Sequence, residues 1–439
     1  MRRSNFFIFL FGLFPFLAVS QESLTLEDAI RIGLGNSYSI KISKNNIQIA
    51  QNNNTLGNAG FLPRVDVSGS QTGNIQERYQ ENSDGTNSTV TGFPTNTTSA
   101  GALLSWTVFD GMSMFLQREK LEIYSQQSVL SLRIAVENTV ADIAYTYYNI
   151  ALNEKLYNSL KDQMALSRQR LRIAHEKSKI GVGNELQELQ SEVDYRADSA
   201  RYLQQKSYLV NLKAELNRLL TREANVQFSV YTSIPVPQVG DVSEILQEVL
   251  DSNPQIAYER LQNRLGELDY NQAKSPRFPR VNVSGAYNFS NVVTPDAQQQ
   301  VYRTLGPAFG VNASIALFDG FNTSRKIRNA QILVENQRLS YDELILNLQS
   351  NAFKLVNNLN QAIELVKVEE KSVELAQRNT DTAWEKYRLG AISDIELRES
   401  QNKLLDAQTR LISAQLNAQA AEIEINLLTG EMNGYIGAE

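Results

Sequence analysis

The chain has 439 residues, a formal charge of −6, 8 % aromatic residues, one histidine and no cysteine. The missing cysteine removes disulfides, thiol nucleophiles and thiolate metal sites together. An acidic chain without a basic stripe is a poor nucleic-acid ligand, and a lone His175 excludes histidine triads and multi-histidine zinc sites. No enzyme and no cofactor is expected.

Residues 1–20 read as a secretory signal peptide. Arg2 and Arg3 are basic, Phe6 to Leu17 is nearly all apolar, and Ala18-Val19-Ser20 is a small-x-small cleavage pattern, so the mature chain is expected to begin near Gln21. A run of about a dozen residues is short of the roughly 20 that a spanning helix needs. No other stretch is apolar enough to span as a helix, so any membrane role must be β or peripheral. No cysteine follows the cleavage site to carry a lipid.

The mature chain repeats itself. Leu62-Pro63-Arg64-Val65-Asp66-Val67-Ser68-Gly69 returns 216 positions later as Phe278-Pro279-Arg280-Val281-Asn282-Val283-Ser284-Gly285. Phe109-Asp110-Gly111 returns 209 later as Phe318-Asp319-Gly320, and Gly181 as Gly390 at the same offset. A length change inside one loop accounts for the difference. The first repeat is expected over 21–233: a helix, a hairpin at about 62–110 and a long helical hairpin at about 111–222. The second is expected over 234–439: a helix, a hairpin at about 279–319 and a helical hairpin at about 320–429. Pro235 and Pro237 mark the linker.

In chain order, the first hairpin returns with Ala100, Ala102, Leu104, Trp106 and Val108 on one face. The polar stretch from Gln76 to Thr98 reads as an exposed loop. The second hairpin sets Val281, Val283, Gly285, Tyr287 and Phe289 against Asn282, Ser284, Ala286, Asn288 and Ser290. Its return strand carries Phe309, Val311, Ala313, Ile315 and Leu317 on the apolar side. Strands of about ten residues, apolar outside and small or polar inside, fit a transmembrane barrel better than a sandwich.

The remainder has heptad spacing. Ile143, Ile150, Tyr157 and Met164 belong to one seam; Ile327, Val334, Tyr341, Leu348 and Leu355 to a second; Leu397, Leu404, Leu411, Ala418 and Ile425 to a third. The runs Gly111 to Gly181 and Gly320 to Gly390 contain no proline, so each predicts a helix of roughly 100 Å ended by glycine. Four strands cannot close a barrel, and an open edge in lipid leaves backbone groups unpaired, so other subunits must complete the sheet. Small inner-face residues favour an open lumen, mildly favouring three copies over two.

In the order of its elements the whole mature chain resembles the TolC-type outer-membrane efflux proteins. The signs are the duplicated Pro-Arg-Val-x-Val-Ser-Gly strand start, the duplicated Phe-Asp-Gly strand end, and the turn Tyr387-Arg388-Leu389-Gly390-Ala391-Ile392-Ser393. The resemblance implies a mixed α and β membrane protein: a homotrimer with a twelve-stranded barrel in outer-membrane lipid and a periplasmic α-barrel of long antiparallel helices. It implies an exit duct for a tripartite efflux pump or type I secretion system, reached through a periplasmic adaptor protein and an inner-membrane transporter. It implies acidic gate rings at Glu396 and Glu399, and a closing hydrogen bond from Tyr387 to Gln187, where relatives have an acid. Gly181, Val182, Gly183, Leu389, Gly390, Ala391 and Ile392 match the turns that dock the adaptor. Two other readings stay open: a periplasm-spanning structural or adhesin-like coiled coil, and a cation-selective porin.

Overall fold

The computed structural model describes residues 22–81, 83–183, 185–238, 240–294 and 301–435. The signal-peptide segment lies outside the described residues. Elements run β1 (Glu22–Leu24), α1 (Leu26–Asn36), α2 (Tyr38–Asn53), β2 (Arg64–Glu81), β3 (Asn87–Asp110), α3 (Ser113–Lys179) and α4 (Glu185–Leu219). They continue β4 (Phe228–Val230), α5 (Val242–Ser252), α6 (Pro254–Lys274), β5 (Arg280–Val293), β6 (Val301–Ser314), α7 (Asn322–Arg388) and α8 (Asp394–Thr429). The chain divides into two compact units. One holds residues 39–136 and 246–351; the other holds the described parts of 1–38, 137–245 and 352–439. Among the described residues no helix is long and apolar enough to cross a membrane.

The first of these units carries an antiparallel sheet of order β2-β3-β5-β6, open at β2 and β6. Its register lines up Val67, Ala102, Tyr287 and Pro307 across one face and Ser68, Gly101, Asn288 and Gly306 across the other. The two faces read from the sequence are therefore continuous over all four strands. Val67 and Phe309 project from the apolar face, 83 % and 93 % exposed.

Three details differ from the sequence reading. Gln76 to Thr98 is largely ladder, because β2 reaches Glu81 and pairs with β3 from Asn87. Polar residues on both faces suit strands that run on with water on either side, which composition alone reads as loop. Val108 does not continue the apolar face: the register shifts between Thr107 and Phe109, so Phe109 pairs with Val281 in its place. Ile315 and Leu317 lie beyond β6, which ends at Ser314 opposite Arg280, the first residue of β5. Past that point an edge strand has no partner in its own chain.

The two long helices α3 and α7 are each entered through two consecutive left-handed residues. Gly111 and Met112 have φ of +73°, and Gly320 and Phe321 have +68° and +61°. The preceding aspartate caps the helix: the Asp110 carboxylate accepts the N–H of Met114 at 3.0 Å, and Asp319 accepts that of Thr323 at 2.7 Å. The repeated Phe-Asp-Gly is thus a helix cap followed by a left-handed glycine in both repeats, entered directly from β3 in the first and after β6 has ended at Ser314 in the second. In the same unit, α6 starts on Asn253, whose side chain accepts from Gln255 and Ile256 ahead of Pro254.

The second unit is built on a core of Leu24, Ile30, Ile143, Ile150, Leu216, Leu220 and Phe228, all at most 1 % exposed. Each such side chain contributes about 1.5–3 kcal/mol when fully buried. β1 and β4 form a short parallel pair inside it, pairing Leu24 with Val230. The Tyr147 hydroxyl donates to the Leu24 carbonyl at 3.0 Å and accepts from the Tyr231 N–H at 3.1 Å, joining the pair to α3. The third heptad seam is buried in this unit at Leu397, Leu404, Ala418 and Ile425. The Pro235 linker is pinned to α8, its carbonyl accepting from Gln419 at 2.9 Å.

Candidate functional site at the helix turns

α3 and α7 both reverse through a glycine with φ of +74°, Gly181 and Gly390. The N–H of Val182 reaches back to the Lys177 carbonyl at 3.1 Å and that of Ala391 to Lys386 at 2.9 Å. This is a Schellman closure, which needs a left-handed residue and so favours glycine. The turns present apolar groups to solvent: Ile180, Val182 and Leu389 are 72 %, 77 % and 83 % exposed.

α8 begins with a complete capping box. Ser393 donates its N–H to the Glu396 carboxylate at 2.7 Å, and its hydroxyl accepts the N–H of Glu396 at 3.3 Å. The Ser393 N–H first, and then the Ser393 hydroxyl, which donates to the same carboxylate oxygen at 3.0 Å, hold the Glu396 carboxyl below the usual glutamate range. Glu399 lies one turn on and pairs with Lys403 at 2.7 Å. Both glutamates are exposed and line one hollow of about 250 Å³ with Lys386 and Lys403. Across the first turn His175 and Glu188 meet at 2.6 Å, joining α3 to α4.

Tyr387 is buried, with Lys177 over its ring at 5.2 Å from the centroid. Burial, then the neighbouring Asp394 carboxylate, raises its pKa. Gln187 lines a crevice of about 560 Å³ between the first turns of α4 and α8, which it shares with Asp194, Asp394, Arg398 and Glu399. Of the residues singled out in the sequence, Gln187 and Glu399 therefore share one crevice, and Glu399 shares the hollow beside it with Glu396.

Behind the crevice lies a charge cluster that sequence reasoning missed. Arg170 of α3 is fully buried, paired with Asp194 of α4, and its Nε is 3.0 Å from Asp394 of α8. The latter contact is close enough for an ion pair but poorly directed for a hydrogen bond. Arg398 of α8 returns two bonds to Asp198 of α4 at 2.6 and 3.0 Å, and Ser167 of α3 donates to the same carboxylate. Burial pushes the Asp394 carboxyl above the aspartate range, Arg170 pulls it back, and Asp194 pushes it further up. The spacings Asp194/Asp198 and Asp394/Arg398 were visible as i,i+4 pairs, but nothing in one sequence says which helix each meets.

Comparison with known proteins gives a consistent picture. Residues 245–431 match the family described as outer membrane efflux protein. No protein of curated function matches the sequence. Among solved structures the chain resembles the Campylobacter jejuni CmeC outer membrane channel at a TM-score of 0.78 and 17 % identity, over 92 % of this chain and 85 % of that one. It resembles the Vibrio cholerae outer membrane protein VceC at 0.71 and 15 % identity, over 92 % and 96 %. It resembles the open state of the Neisseria gonorrhoeae MtrE outer membrane channel at 0.70 and 15 % identity, over 93 % and 88 %.

Proposed function

We propose that this chain, whose residues 245–431 match the outer membrane efflux protein family, is one subunit of a passive trimeric exit duct seated in the outer membrane and extending into the periplasm. The observation that carries the reading is the sheet. Four strands, apolar on one face and small or polar on the other, end in two open edges on β2 and β6. In hydrocarbon those edges need partners, and three copies supply twelve strands around a lumen wide enough for water. Internal duplication then gives each copy two hairpins in the membrane and two long helical hairpins outside it.

The helix turns are the periplasmic gate and docking end in this reading. Glu396 and Glu399 of three copies form two acidic rings, since both lie on one exposed face of α8. Rings of carboxylates favour cations. Tyr387 is the closing residue in this reading, with Asp394 as the acid beside its phenol; Gln187, the partner expected from the sequence, lines the crevice that Asp394 also lines. The turns at Gly181, Val182, Gly183, Leu389, Gly390, Ala391 and Ile392 receive an adaptor protein that links the duct to an inner-membrane transporter. Their exposed Val182 and Leu389 supply apolar anchors that a free surface has no use for.

Single-channel conductance of the purified protein in planar bilayers, wild type against Glu396→Ala with Glu399→Ala, tests the reading. A small cation-selective conductance that loses selectivity in the double variant is expected. An inserted protein without conductance would instead favour a structural coiled coil. Conductance unaltered in the variant would remove the acidic rings and leave the channel.

A further inference from the structure

Arg170 is 0 % exposed and charged, in a part of the molecule where apolar seams would pack at least as well. A buried ion cluster adds little stability over apolar residues of the same volume, and its best-attested use is to define one arrangement of helices against others. Arg170 lies on α3, nine residues before Lys179 ends that helix, and touches three partners on two other helices. It pairs with Asp194 of α4 and Asp394 of α8, and its remaining amino group donates to Gln401 of α8 at 3.3 Å. Asp394 is the first residue of α8, so whatever holds it fixes where that helix starts. Arg398, one turn further, braces α8 to α4 a second time through Asp198.

We propose that Arg170 is a positioning residue which holds the start of α8 against α4, and so sets the register of the two helical hairpins of one chain at their turns. A planar guanidinium is suited to this, because one rigid fork addresses two carboxylates on different helices at once. Without it Asp194 and Asp394 keep only the countercharge of Arg398, whose Nε is 3.7 Å from Asp194 and which is also bound to Asp198, and the residual like-charge repulsion favours separation of α8 from α4. Glu396 is on α8 and Tyr387, on the last turn of α7, lies beside Asp394, so the clamp bears on both. Its consequence for conduction rests on the reading of the turns as a gate; the clamp itself does not.

The test uses the absence of native cysteine. Spin labels at Val182→Cys and Leu389→Cys report the separation of the two turns, with labelled chains diluted in unlabelled ones and single-channel conductance recorded in parallel. In Arg170→Met the label distance is expected to widen by about 5 Å, the scale of a one-turn shift, and conductance to rise severalfold. Adding Asp394→Asn to Arg170→Met removes the repulsion and is expected to bring both readouts back toward wild type, which a merely structural lesion would not do. Arg170→Lys, which keeps the charge but loses the fork, gives an intermediate distance and serves if the Met variant does not insert. Distances unchanged in both Arg170 variants overturn the proposal. Widened distances with unchanged conductance uphold the clamp and sink the gate reading.

Discussion

Glu396 and Ser393 hold each other at the start of α8, carboxylate to N–H at 2.7 Å and N–H to hydroxyl at 3.3 Å. A side chain expected to face a pore is therefore also a helix cap. The two roles separate by substitution. Glutamine retains the capping geometry without the charge, whereas alanine loses both. Glu396→Gln is expected to lower cation selectivity with α8 intact; Glu396→Ala lowers selectivity and also frays the first turn of α8, a change of about 1 kcal/mol readable by amide exchange. Selectivity preserved in the glutamine variant would leave Glu396 as a cap alone.

Acid loosens the first turn. The hydrogen bond with His175, foremost, and one with Ser178 hold Glu188 below the usual glutamate range. A carboxyl depressed in the folded state contributes stability that is complete above its unfolded value and is lost as pH falls through the folded one. A spin label at Leu186→Cys should therefore gain mobility as pH falls below the usual glutamate range, and Glu188→Gln should remove most of that transition. A mobility that does not change with pH would count against the pair.

The two junction glycines should differ despite matching conformations. A Cβ on Gly111 would lie 2.3 Å from the Ser275 carbonyl oxygen, while one on Gly320 would meet only Asn322 Nδ2 at 3.7 Å. Gly320→Ala meets left-handed strain alone, about 1–2 kcal/mol. Gly111→Ala adds a collision with backbone, for about 2–5 kcal/mol together. Denaturant midpoints of the two variants would order them, and equal losses would contradict the close approach of Ser275.

Arginine scanning tests which sheet face meets lipid. Phe309→Arg, on the apolar face, is expected to weaken membrane insertion by about 2–4 kcal/mol. Asn288→Arg, on the opposite face, should insert normally and shift ion selectivity toward anions. The reverse pattern would invert the sheet.

Tyr147→Phe leaves the Leu24 carbonyl and the Tyr231 N–H without their shared partner inside the core. A loss of about 1–3 kcal/mol in unfolding free energy is expected, far above what an exposed hydroxyl contributes.

Much of this architecture was legible because it is periodic. The alternation from Val281 to Ser290 and the seam Leu397, Leu404, Ala418, Ile425 report two periods that few other structures share, and both seam and strand faces are where the spacing puts them. Composition misled at Gln76 to Thr98, since a ladder wet on both faces has the polarity of a loop. Val108 misled because a bulge breaks the period without a sequence mark. The pair β1 and β4 was invisible, three residues being too few for any period. At the turns, the glycines announced themselves by their backbone requirement. The Arg170 cluster did not, because a buried ion pair is a statement about two distant segments, and each segment alone looks like an ordinary solvated helix face.

The open edges on β2 and β6 also dictate an order of events. Before insertion the chain carries strand edges of 18 and 14 residues with no partner. Its helical core can bury Ile143, Phe228 and Leu216 in water without help, so that part is free to fold early. In the proposed trimeric duct the sheet is completed only when copies meet, which makes the membrane step second order or higher in chain. Dilution should stall it with the helices already formed, and a waiting monomer is the species most exposed to edge-to-edge aggregation.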